Sequence, residues 1–421
     1  MSFLRVRKTP VSRSLCLALV LLIGTQVVLA QESPRDILTR MWQAASGQEA
    51  LEARNALDEA VPDIDDLYTL LSEGPNFSAD VQTGVWQSFR RGAGGHEYPF
   101  VVIVPETYDP ARSYPVEFML HGGVGRQKPA EGDSWWRSGY DSLKREDRIV
   151  VVPAAWVEAF WWHENQAENL PAILRRVKQL YNVDDNRVSM TGVSDGGTGA
   201  YFYAFKQPSE WSTFLPYIGH PGVLRNSQSG GGYRLYFENL MTKPLFIVNG
   251  ENDRLYPASS VQPFIDVLEQ ANIRHTFRVI EGGGHNTNWL PAEGHAIEAF
   301  KNAYPRNPFP EILRWVSDRT DKFNQLHWIR TDELEEDGQP GLLQVERDDN
   351  TFTARADGVS RFSLFLNPEN VDFSAPITVI VNESTVFEGL VEQNREVILS
   401  NLIRNLDRKS LVTAELNIDV P

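Results

Sequence analysis

Cysteine is almost missing from this 421-residue chain, and the single one is Cys16. With no second thiol, no intrachain disulfide forms, and stability must come from a packed core. Metal-ligand spacing is missing too. There is no His-Glu-x-x-His pair and no calcium-loop pattern, so neither a metal nor a cofactor is expected. Positive charge is short, with 40 Lys and Arg against 56 Asp and Glu, a net charge of −16. So acidic a chain excludes nucleic acid and anionic membranes as partners and favours solubility. No internal period long enough for a solenoid is present.

The first 30 residues stand apart. Arg5, Arg7, Lys8 and Arg13 precede an apolar run from Leu15 to Ala30, which closes on Val28-Leu29-Ala30. This is the pattern of a secretory signal peptide cut before Gln31, and it predicts a periplasmic or secreted protein with no membrane contact after cleavage. The run is short for a spanning helix, and a polar segment follows. Cys16 lies at the start of the run rather than after it, which argues against a lipoprotein. Cleavage would remove Cys16 and take the net charge from −16 to −20, since four basic and no acidic residues leave.

Three further segments are expected: helical over 31–83, mixed over 84–320 and β-rich over 321–421. Ser33-Pro34 starts a helix, an N-cap followed by proline at the first helical position. A second helix is expected from Asp63 to Leu71. From residue 84, apolar β-type runs alternate with amphipathic stretches. The runs are Phe100–Val104, Val116–Leu120, Ile149–Val152, Arg187–Met190, Leu245–Val248 and Phe277–Ile280. Leu170–Leu180, with Ile173, Leu174 and Val177 on one face, and Val261–Ala271 read as helices. Such alternation implies an α/β domain with a mostly parallel sheet covered by helices on both faces. Beyond residue 324, short alternating strands between turn clusters such as Asp348-Asp349-Asn350 imply an all-β, sandwich-like module. One helix interrupts it around Val397–Leu406. The module is expected to stabilise its neighbour; carbohydrate binding or protein docking is the alternative.

The chemistry centres on Gly192-Val193-Ser194-Asp195-Gly196-Gly197. A Gly-x-Ser-x-Gly between a strand and a helix is a nucleophile elbow, a turn tight enough to strain the serine. Alone it is weak, since ordinary composition produces it by chance in about one chain of this length in ten. Its company strengthens it. The run ending at Asn249 leads into Gly250-Glu251-Asn252-Asp253, which offers Glu251 and Asp253 as acids. The run ending at Glu281 leads into Gly282-Gly283-Gly284-His285, whose glycines free the histidine to reach across. His295 is its rival, in a helical segment. Val116–Leu120 runs into His121-Gly122-Gly123-Val124-Gly125, where glycines allow close backbone approach.

These loops, in the chain order serine, acid, histidine, resemble the α/β-hydrolase superfamily. Within it the chain resembles exported esterases similar to feruloyl esterases and polyhydroxybutyrate depolymerases, over roughly residues 84–318. The resemblance implies Ser194 as nucleophile, His285 as general base and Asp253 as the acid that orients it. It implies an oxyanion hole from Gly122 or Gly123 together with the N–H of Asp195. Asp195 departs from the commoner neutral residue after the nucleophile, and its charge is expected to disfavour anionic substrates.

Trp135, Trp136, Trp156, Phe160, Trp161 and Trp162 are dense on loops after strands. Trp135, Trp161 and Trp162, with His121, are therefore candidate substrate-binding residues, able to stack an aromatic acyl or sugar-linked group; a packed core is the alternative. His121 also suits shaping the loop. His163 and His220 are candidates for the pocket lining. The sequons at Asn76 and Asn382 read as chance. The expected partner is a small-molecule or polymer-linked ester. A serine peptidase or acyl-transferase, or a non-catalytic binding protein on the same fold, are the competing readings. The sequence sets no oligomeric state.

Overall fold

Between residues 84 and 280, valine- and isoleucine-rich segments pair into one sheet in a computed structural model that describes residues 32–44, 46–92, 95–130 and 139–421. The signal segment and the Trp135–Trp136 pair lie outside these residues. The strands are β1 (Gly84–Arg91), β2 (Glu97–Val104), β3 (Tyr114–Leu120), β4 (Ile149–Pro153), β5 (Val183–Val193), β6 (Thr213–Tyr217), β7 (Leu245–Gly250) and β8 (His275–Ile280). Their order across the sheet is β1-β2-β4-β3-β5-β6-β7-β8. β2 is antiparallel to both its neighbours, while every pairing from β4 to β8 is parallel. This is the α/β-hydrolase fold.

Why these segments are strands follows from burial. β4, β6 and β7 are buried at every position, as expected of parallel strands covered on both faces. β6 was not legible as an apolar run, because Pro216 interrupts it and proline argues against an interior strand. The sheet tolerates it near the end of the strand, where it pairs with Gly192. β1 was missed for the opposite reason. It is an edge strand with several exposed positions, so polar residues dominate it.

The helices are α1 (Pro34–Gln43), α2 (Gly47–Ala60), α3 (Ile64–Glu73), α4 (Glu164–Leu180), α5 (Asp195–Lys206), α6 (Ala258–Gln270), α7 (Leu290–Ala303) and α8 (Arg395–Asn405). α2 escaped detection because only Ala50, Ala53 and Leu57 are buried on it, too small a stripe to mark a period. A full capping box from Ser46 and Glu49 starts it. No helix among the described residues is long and apolar enough to cross a membrane.

The C-terminal strands are β9 (Ile312–Ser317), β10 (Gln325–Leu326), β11 (Ile329–Leu334), β12 (Gly341–Asp348), β13 (Thr351–Asp357), β14 (Val359–Leu366), β15 (Ile377–Val381), β16 (Ser384–Gly389) and β17 (Ala414–Asp419). They form a four-stranded sheet, β10-β11-β14-β17, and a five-stranded sheet, β16-β15-β13-β12-β9. Trp315, Trp328, Phe352 and Phe362 fill the core that these strands share. β9 belongs to this module although it precedes residue 320. α8 adds only the half-buried Val397 to that core. Its Ile398, Leu399 and Leu402 pack with Leu38, Trp42, Leu57 and Leu67 of the three leading helices. Residues 34–421 accordingly form one compact unit.

The registers prepare the site. Leu120 at the end of β3 pairs with Gly192, Val193 with Tyr217, and Gly250 with Ile280. The loops after β3, β5, β7 and β8 therefore leave the same edge of the sheet.

Candidate active site

Ser194 joins β5 to α5 with φ 57° and ψ −117°, a backbone state that costs a non-glycine residue on the order of 1–3 kcal/mol. Glycines make the turn possible. A Cβ on Gly192 would lie 1.9 Å from the Gly196 carbonyl oxygen, and one on Gly196 would lie 2.0 Å from that of Leu120. The Ser194 N–H donates to the Tyr217 carbonyl (2.9 Å), and its side chain makes no capping bond to α5. Its Oγ instead lies 2.8 Å from Nε2 of His285.

His285 reaches that point because two loops interlock. Asn252 N–H donates to the Gly283 carbonyl (2.8 Å), and Glu251 Oε2 accepts the Gly282 N–H (2.8 Å). Gly282 needs its φ of 65°. Nδ1 of His285 is 2.8 Å from Asp253 Oδ2. The other oxygen, Oδ1, accepts from the N–H groups of Leu255 (2.8 Å) and Tyr256 (3.0 Å). Burial pushes the Asp253 carboxyl up, but Tyr256, His285 and Leu255 outweigh it and hold it below the usual carboxylate range. An ionised carboxylate can only accept, so Nδ1 carries the proton and Nε2 offers its lone pair to the serine hydroxyl. Glu251 is exposed and holds the histidine loop rather than the histidine. His295 is exposed on α7.

The glycine loop lies on the other side of the serine. A Cβ on Gly122 would be 2.9 Å from Cβ of Ser194, and Gly123 adopts φ 71°. Val124 N–H donates to Asp195 Oδ2 (3.0 Å). Asp195 is the first residue of α5, whose opening N–H groups have no partner within the helix.

Both ring nitrogens of His121 are engaged by the backbone. Nε2 accepts the Ala155 N–H (3.0 Å), which leaves Nδ1 to donate to the Gly122 carbonyl (2.9 Å). Burial pushes its pKa down to about 4, so the ring is neutral and shapes the loop. Two other expectations are corrected. Trp161 is 0% and Trp162 2% exposed, so neither offers an indole face for stacking. Trp161 Nε1 donates to the His121 carbonyl (2.8 Å), and Trp162 Nε1 to that of Ser229 (2.9 Å). Both indoles are core, and their N–H groups find backbone acceptors inside. His163 Nδ1 accepts from Phe160 N–H (3.3 Å). His220 Nδ1 accepts from Gly222 N–H (2.9 Å), and its Nε2 faces the Ser260 carbonyl (3.1 Å).

Sequence reasoning missed Tyr256, whose ring stands edge-on to His285 at 5.9 Å. Its place three residues after Asp253 was the available signal, since an aspartate side chain commonly takes backbone N–H groups two and three residues on.

No family model matches the chain. Similar solved structures include a thermostable esterase (19% identity, TM-score 0.42, 53% of this chain and 63% of that one). The match thus spans less than two thirds of that esterase. FphF, a fluorophosphonate-binding serine hydrolase of Staphylococcus aureus, is similar at 17% identity and TM-score 0.42, over 52% of this chain and 100% of that one. A ferulic acid esterase is similar at 18% identity and TM-score 0.38, over 52% of this chain and 98% of that one.

Proposed function

We propose that this protein is a serine hydrolase that cleaves carboxylic esters through an acyl-enzyme. One observation carries the reading. Ser194, His285 and Asp253 stand in a row with 2.8 Å between successive partners, next to a glycine loop. His285 Nε2 takes the serine proton as Oγ attacks the ester carbonyl, and Asp253 stabilises the imidazolium that forms. The oxyanion is received by backbone N–H groups of Gly122 or Gly123 and of Asp195. Collapse expels the alcohol, protonated by His285. Water, activated by the same nitrogen, then releases the acid. The substrate is a small-molecule or polymer-linked ester. The N-terminal pattern supports an exported enzyme, with the segment from residue 84 to the start of β9 as catalytic domain and the β module as its support.

The test is a panel of p-nitrophenyl and feruloyl esters beside peptide amides, with fluorophosphonate labelling mapped by mass spectrometry. Ester turnover and a label on Ser194 are expected. A label elsewhere, or ester turnover that survives Ser194→Ala, overturns the mechanism. Turnover of amides alone makes the protein a peptidase, and neither turnover nor label makes it a binding protein.

The Glu251 bond to Gly282 bears on the same chemistry. An exposed hydrogen bond of this kind is worth about 0.5–1 kcal/mol. Glu251→Ala is therefore expected to lower kcat by about two- to fivefold. Glu251→Gln, which keeps an acceptor, is expected to stay above it in the same assay.

A further inference from the structure

The side chain of Asp195 makes a contact that its place in the motif does not require. An aspartate at the first position of a helix ordinarily needs no partner beyond that helix's own N-terminus. Here Oδ2 reaches out of α5 and accepts the N–H of Val124, at 3.0 Å and 71 residues away in sequence. Val124 is buried, so its N–H needs a protein acceptor or remains unsatisfied.

The geometry around the loop shows what this bond controls. The near end of the loop is tied by β3 and by His121, whose ring and carbonyl are held by Ala155 and Trp161. The far end is tied at Val124 by Asp195, and Arg126 accepts the Val157 N–H through its carbonyl (2.9 Å). Between these ties stand Gly122, whose carbonyl accepts from His121 Nδ1 at 2.9 Å, and Gly123, and neither has a side chain of its own to anchor it. Gly123 has a φ of 71°, a conformation that permits several neighbouring backbone states to glycine.

We propose that the Asp195 carboxylate is a positioning residue for the oxyanion loop. One residue then supplies one oxyanion donor through its backbone and sets the distance to the other through its side chain. This rests on the ester-hydrolase reading above. Both donors must lie about 2.7–3.1 Å from the developing oxyanion, so their mutual spacing matters in the transition state and little in the ground state.

The experiment compares Asp195→Ala and Asp195→Asn on a neutral p-nitrophenyl ester, with an alkylboronic acid as an inhibitor that forms a tetrahedral serine adduct. Misplacing a group by about 1 Å can cost about a hundredfold. For Asp195→Ala, kcat is expected to fall by about ten- to a hundredfold while KM moves by less than about threefold. Boronate affinity should fall in parallel with kcat. Asp195→Asn keeps an oxygen that can accept the Val124 N–H, and is expected to recover most of the loss. A loss that appears in KM, an alanine variant with kcat within twofold of the parent, or an asparagine variant as impaired as the alanine one overturns the proposal. Should the alanine variant not fold, the boronate affinity and kcat of the asparagine variant decide it alone. Absence of ester turnover and of fluorophosphonate labelling in the parent protein overturns the hydrolase reading instead, and is distinguished by that control.

Discussion

Ser194→Ala is expected to lower kcat on a p-nitrophenyl ester by about 10⁴- to 10⁶-fold. The size follows from what is lost. The substitution removes the hydroxyl that Nε2 of His285 holds at 2.8 Å, and with it the nucleophile. On the ester-hydrolase reading the remaining machinery should still bind and polarise an ester, leaving a residual rate over water of about 10³–10⁴. His285→Ala should cost about as much, and the two together little more, because the residues act as one unit. Asp253→Asn should cost about 10⁴-fold, because an amide can present its NH₂ to Nδ1 and turn the imidazole to the wrong tautomer. Steady-state rates on one ester check all three, and a double variant that multiplies the single losses would contradict the shared mechanism. A companion measurement separates chemistry from strain. Ser194→Gly should be as inactive as the alanine variant yet more stable than it by about 1 kcal/mol, because glycine accepts a φ of 57° without penalty. Equal stability of the two would show that the elbow stores no strain.

The second large effect lies far from the serine. Arg306, on the segment after α7, makes a bidentate pair with Asp407 at 2.6 and 2.9 Å. It also donates to Asn186 Oδ1 at 3.0 Å through Nη2 and to the Ser209 carbonyl at 3.2 Å. Lys178 of α4 lies 2.9 Å from Asp185 and 3.8 Å from Asp407. These side chains are 1–3% exposed. Asp407 follows α8, so the cluster joins the C-terminal half of the chain to the start of β5. Removing one member leaves an uncompensated charge out of water, which costs about 3–5 kcal/mol. Arg306→Ala and Asp407→Asn are therefore each expected to lower the denaturant midpoint markedly. A double Arg306→Met, Asp407→Leu variant should be less harmed than either single one, since no charge is stranded. Arg91→Ala serves as comparison. Its partner Glu97 is 3.3 Å away and both are exposed, so its loss should cost under about 1 kcal/mol. A buried variant as mild as that one would refute the assignment.

The acid dependence of this cluster has a definite sign. Burial pushes the Asp407 carboxyl up, but Arg306 and Lys178 overcome this and hold it well below the usual range. A depressed folded pKa means that the stabilisation is present above the unfolded value, about 3.9, and is lost as pH falls through the lower folded one. The gap between parent and Asp407→Asn should thus be the same at pH 7 and pH 5 and should close only in strong acid.

Strand ends were the most legible feature of the chain. β3, β5, β7 and β8 each finish in a glycine-bearing loop with a polar residue, and this local pattern survives without any knowledge of neighbours. The alternation of apolar runs and amphipathic stretches likewise reveals the α/β architecture and the change to a β module. Elements that lean on others for their burial were not legible. β6 hides behind Pro216, β1 behind its exposed face, and α2 behind alanines that bury little area. α8 looked like an interruption of the sandwich because its partners, α1 to α3, lie more than 300 residues earlier.

By itself, then, the sequence determined which chemical groups stand at the turns, because turn geometry depends on a few adjacent residues and on where glycine is tolerated. The resemblance already favoured one acid; the tertiary structure shows its contact and decides between aromatics and between roles. Asp253 rather than Glu251 meets His285, since that depends on which oxygen two backbone N–H groups leave free. Trp161 and Trp162 are core rather than pocket, since burial is a property of everything packed around them. The Asp195 carboxylate ties down a loop 71 residues away. Opposite charges scattered from Lys178 to Asp407 become one cluster because the fold removes the water between them.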